Sequence, residues 1–123
     1  MKKICLACFS VMCLCLSLYA NTVDKIQFEQ YVELTKKSKS NPKGMTVVGD
    51  STYRIMYIAL PIAINYGDVT TQVKNKMKEN MLAVMRQEKA DRKVIKDLKI
   101  RLIYSFITSD QKIFTITLNY QDI

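Results

Sequence analysis

Two periodicities divide this chain. Near the C-terminus apolar residues fall on alternate positions, Ile100, Leu102, Tyr104 and Phe106 and then Phe114, Ile116, Leu118 and Tyr120, around the polar run Thr108-Ser109-Asp110-Gln111-Lys112. Alternation on both arms of a turn predicts an antiparallel hairpin over residues 99–121 with one face buried. Upstream, Val69, Val73, Met77, Met81, Val84 and Met85 recur at spacings of three and four, with Lys74, Asn75, Lys78 and Arg86 opposite them. That spacing predicts an amphipathic helix over 68–89, N-capped by Asp68, with one more short turn or helix from Ala90 to Leu98.

Met45 to Val48, Gly49-Asp50-Ser51 and Thr52 to Ile64 read as a short strand, a turn and a longer strand. Both faces of the longer strand's second half are apolar, so it is expected to be central and covered, with Pro61 ending its ladder or lying at an edge. The polar run from Lys36 to Gly44 reads as a loop over 36–44, its four lysines repelling one another into solvent. Residues 24–36 are open between two readings. Ile26, Phe28, Val32 and Leu34 alternate as in a strand, whereas the Glu, Gln, Lys and Leu content and the possible caps Thr22 and Asp24 suit a helix. These elements together predict one α+β domain over residues 21–123, a small antiparallel sheet with one main helix packed on one face.

The N-terminus has a different pattern. Lys2 and Lys3 precede an uncharged run from Ile4 to Ala20, the basic and apolar regions of a secretory signal peptide over residues 1–20. Cleavage after Ala20 places Leu18 at the −3 position, bulkier than signal peptidase prefers; the alternative is an uncleaved membrane anchor. Cys5, Cys8, Cys13 and Cys15 all lie in this run, where they read as small hydrophobes rather than as metal or redox ligands. Neither Cys8, too early, nor Cys13 and Cys15, which follow Met12 and Leu14, suits lipoprotein acylation. The expected location is periplasmic or secreted, with a core that no disulfide staples.

Composition then narrows the chemistry. The chain has no histidine and, beyond residue 20, no cysteine. This removes the usual general base near neutral pH, the Ser-His-Asp and Cys-His arrangements and ordinary zinc sites. A Ser-x-x-Lys spacing occurs at Ser40 to Lys43, but in the charged loop rather than at a helix start in an apolar setting. The reading is therefore a non-enzyme with no catalytic residues, metal or cofactor. Met77, Met81 and Met85 stand at i, i+4 and i+8, where thioethers suit Cu(I), although core filling is the favoured reading. Tyr53, Tyr57, Tyr104 and Tyr120 are read as core aromatics in preference to a sugar-stacking row.

The whole chain carries a net charge of +8, and 17 basic residues face 11 acidic ones once Lys2 and Lys3 are set aside. In an exported protein this balance points to anionic envelope surfaces or an acidic protein partner, not to nucleic acid. The segment with Lys89, Arg92, Lys93, Lys96, Lys99 and Arg101 is the candidate contact region, against the alternative of an ordinary solvated helix end. A second candidate is the exposed edge of the hairpin, which can accept a partner strand.

Tyr53-Arg54-Ile55-Met56-Tyr57, the capped helix with Lys76 to Asn80, Leu102 to Phe106, Ser109-Asp110-Gln111-Lys112 and the closing Asp122 resemble a group of small exported bacterial proteins. These have a Tyr-x-Tyr strand, one long helix and a final hairpin whose turn reads like Asp-x-Gly-Lys. The resemblance covers residues 53–123, implies the same α+β domain, and brings neither an assigned activity nor any functional residue. Many members carry a cysteine in the helix and another at the C-terminus; this chain has neither, so that disulfide does not transfer. The expectation from the sequence is an exported, non-catalytic binding or accessory protein, with an inhibitor or immunity-type protein as the alternative. A membrane is a partner only if the N-terminal segment is retained.

Overall fold

The computed structural model describes residues 22–123, which form an α+β fold of helices over one four-stranded sheet. The predicted leader lies outside the described residues. In chain order the elements are α1 (22–36), β1 (Thr46–Asp50), β2 (Ile55–Pro61), α2 (Thr71–Gln87), α3 (Lys89–Asp97), β3 (Arg101–Ile107) and β4 (Ile113–Leu118). Single 3-10 turns at Tyr66–Asp68 and Tyr120–Asp122 precede α2 and follow β4.

The strands lie in sequence order, β1-β2-β3-β4. β1 and β2 pair antiparallel, as do β3 and β4, but the central pair β2 and β3 is parallel, with Ile55 opposite Arg101 and Pro61 opposite Ile107. The sheet is thus mixed where an antiparallel one was expected. The cause is the connection: α2 and α3 carry the chain back along the sheet before β3 starts, as a helical crossover does and a tight turn cannot. Pro61 ends β2, where its missing N–H costs no interior ladder bond.

Register sorts the strand residues into two faces. Val47, Met56, Ile58, Leu102, Phe106, Phe114, Ile116 and Leu118 are buried beneath the helices, and Phe106 stacks on Phe114 with ring centroids 5.1 Å apart. On the other face Val48, Tyr57 and Ile113 are exposed. β2 is central as expected but covered on one face only.

Residues 24–36 are helical. Phe28 and Val32, four apart, are buried with Tyr31 packed beside them, while Ile26 and Leu34, which completed the strand-like alternation, are exposed. α1 is seated directly on β1, close enough that a Cβ on Gly49 would stand 2.6 Å from Val32 Cγ2.

The long helix is capped by Thr70, whose hydroxyl accepts the Val73 N–H at 3.2 Å, and not by Asp68, which ends the preceding 3-10 turn. It breaks at Glu88, whose non-helical backbone (φ −83°, ψ 82°) separates α2 from α3. α3 ends in a Schellman motif: Ile100 N–H reaches the Ile95 carbonyl at 2.9 Å and Lys99 N–H the Lys96 carbonyl at 3.3 Å. Lys99 takes the left-handed conformation this motif requires (φ 54°), and Ile95 and Ile100 are both fully buried. In the β3–β4 turn Thr108 Oγ1 accepts the Lys112 N–H at 3.0 Å and donates to Asp110 Oδ1 at 2.6 Å, and Gln111 is left-handed (φ 62°). Thr108 is the one buried polar residue among those described, and all its bonding atoms are used within the turn.

Candidate functional site

Two surfaces meet at α3. The first is basic. Lys89, Arg92, Lys93 and Lys96 are exposed at helical spacings of three and four, so they fall on one solvent-facing stripe. The opposite side of α3 inserts Ile95 and Leu98 into the core. Lys93 Nζ is paired with Asp97 at 2.8 Å, and Arg92 Nη2 donates to the Ile123 main-chain oxygen at 3.4 Å. Of the six residues in the expected contact segment, these four come together. Lys99 is set apart by its left-handed backbone, and Arg101 opens β3 on the uncovered face of the sheet. Because the apolar side of α3 is spent on the core, this helix cannot lie on a bilayer with apolar residues in the acyl region, as an interfacial helix does. The stripe can offer charge alone.

The second surface is a groove on the helix-bearing face, between α1 and α2 over β2 and β3. It has two compartments of about 560 and 450 Å3, which share Val84, Met85, Glu88, Asp91 and Tyr104. Met77, Met81 and Met85 pack against the core as the pattern suggested, and they also line one compartment, while Met45 and Met56 line the other. Sequence periodicity found the first three because they share one helix. It missed the other two, which arrive from the end of the loop and from β2. Val84, counted in the helix's apolar stripe, is 60% exposed at the groove.

The groove's polar centre is the Tyr31–Asp91 pair, in which Tyr31 Oη donates to Asp91 Oδ1 at 3.0 Å and so ties α1 to α3. Burial, then the Asp91 carboxylate beside it, holds the Tyr31 phenol far above the usual range. The same two causes, in the same order, push Tyr104 up to about 12. An unfolded tyrosine ionises near pH 10, so above that value the folded chain retains protons that the unfolded chain releases. Stability from these two residues is therefore full below pH 10 and is lost as pH rises through their folded values. Urea titrations at pH 9 and 11 check this: the alkaline loss is expected to shrink in the Tyr31→Phe/Tyr104→Phe double variant, and an unchanged loss contradicts it.

The expected tyrosine core is only half present. Tyr104 and Tyr120 pack against the core, but Tyr53 is 74% and Tyr57 43% exposed. Tyr53 lies in the β1–β2 turn and Tyr57 on the open sheet face, so the four rings form no common row. Among the described residues no cluster of three or more Asp and Glu side chains is placed to hold a metal ion, and no helix is long and apolar enough to cross a membrane. Comparisons with protein-family models, curated proteins and solved structures find no match.

Proposed function

We propose that this chain is an exported binding protein that acts by surface contact rather than turnover, with the basic stripe of α3 as the recognition surface for an acidic partner in the cell envelope. The observation that carries the reading is the alignment of Lys89, Arg92, Lys93 and Lys96 on one exposed face of a helix whose other face is buried. A row of like charges repels itself in the free protein, and an anionic surface that meets it relieves that repulsion. Such a row also speeds encounter and rejects cationic partners, both of which weaken as salt screens the charges. The basic N-terminal pair and apolar run supply the export part of the reading.

The test places a photo-crosslinking residue at Lys89, Lys93 or Lys96, and at Thr115 on β4 as a control, in cells making the full chain. A discrete salt-sensitive adduct from the stripe positions, absent at Thr115, is expected. Lys99→Gly is the control for net charge: it removes a cation outside the stripe and relieves a left-handed backbone, so the adduct is expected to persist. Equal adducts at every position, or none, contradict contact through α3. Full-length chain recovered from the cytosol contradicts export.

A further inference from the structure

We propose that the groove between α1 and α2 binds a cationic amphiphile, a small molecule that joins one positively charged nitrogen to an apolar body. All five methionines among the described residues, Met45, Met56, Met77, Met81 and Met85, line its two compartments. Thioether chains are unbranched and polarizable, so a wall made of them reshapes around apolar ligands of varied outline. The two volumes, about 560 and 450 Å3, lie within the range of small-molecule sites. Along α2 the stretch from Met77 to Glu88 spans about 16 Å, long enough for an extended alkyl chain.

Charge selects the ligand's other end. In a chain with 19 basic residues, no Lys or Arg lines either compartment, and the ionisable acids that do are Glu88 and Asp91. Neither is in an ion pair among the described residues, and the Tyr31 hydroxyl occupies only Oδ1 of Asp91. Tyr104 lines both compartments beside the two carboxylates, which places an aromatic side chain at the same end of the groove. An anionic ligand would meet two carboxylates at like charge, and a neutral one would cover them without compensation. The groove is separate from the stripe, which occupies the opposite side of α3.

The experiment titrates the full chain with decyltrimethylammonium below its micelle concentration and follows the methionine ε-methyl NMR signals. Decanol and decanoate serve as the neutral and anionic counterparts. Saturable shifts at the five groove methionines are expected, with a dissociation constant below about a millimolar. Glu88→Gln, which breaks no hydrogen bond, is expected to weaken binding about five- to tenfold. Asp91→Asn also disturbs the tie to Tyr31, so Glu88→Gln decides. Equal binding of decanol or decanoate, shifts centred elsewhere, or unchanged affinity in Glu88→Gln overturns the proposal. So does tight binding of a basic amphipathic peptide with none of the decyl cation, which makes the occupant a protein.

Discussion

Phe28→Ala is expected to lower the stability of the folded chain by about 3–5 kcal/mol, the range for removing a buried aromatic ring. Phe28 is fully buried, its ring close to Gly49 on β1 and 6.0 Å from the Arg54 guanidinium carbon. The local geometry opposes collapse around the gap. Below lies a sheet whose register is fixed by pairing on both sides of β2, and beside it Val32 has a stiff branched chain. A cavity therefore persists and adds its own cost to the lost transfer energy. Since domains of this size are stable by only about 5–15 kcal/mol, the loss is a large fraction of the whole.

Its spatial pattern is as informative as its size. α1 is held by Phe28, Tyr31 and Val32 on one face and by the Tyr31–Asp91 bond, whereas the strands are held by ladder pairing across four members. Losing Phe28 removes the most deeply buried of the three anchors. Amide hydrogen exchange is expected to show residues 22–36 losing protection well before β2 and β3. Urea unfolding gives the magnitude; a cost under about 1 kcal/mol would mean that α1 is not seated on the sheet as described.

The way α1 was and was not legible follows from the same residues. Ile26 and Leu34 supplied half of the alternating pattern and are surface residues, so they carried no information about the buried face. The helical triplet was present as Phe28, Tyr31 and Val32, but a tyrosine with a polar tip does not stand out as an apolar position. The hairpin and the long helix were legible because the residues that set their periods, Leu102, Phe106, Phe114, Ile116 and Leu118 in one and Met77, Met81 and Met85 in the other, lie in the core or against it. The parallel pairing of β2 with β3 was not readable from alternation, since period two states which face a side chain takes and not which way a strand runs. The intervening helices state the direction. The four aligned cations of α3 were readable once that segment was helical, because their spacing is local. The groove was not, because its width depends on where α1 sits relative to α2.

Gly49 fixes that seat. Its backbone φ is not in the left-handed region, so a side chain is conformationally allowed there, and the obstacle is contact alone. A Cβ would stand 2.6 Å from Val32 Cγ2, 3.1 Å from Phe28 Cε1 and 3.2 Å from Val32 Cγ1. These atoms belong to a branched side chain and a ring, both buried, so neither can swing away and α1 itself must lift. Gly49→Ala is expected to destabilise the chain by about 1–3 kcal/mol, the usual cost of overpacking. Paired with Val32→Ala, which removes both methyl groups among the three close contacts, the two changes are expected to cost less together than the sum of the singles. A double-mutant cycle by urea denaturation gives that coupling term directly. A coupling near zero would place the cost of Gly49→Ala in the backbone of β1 instead of at the helix–sheet contact, because only in a shared interface does shrinking Val32 make room for the new methyl group.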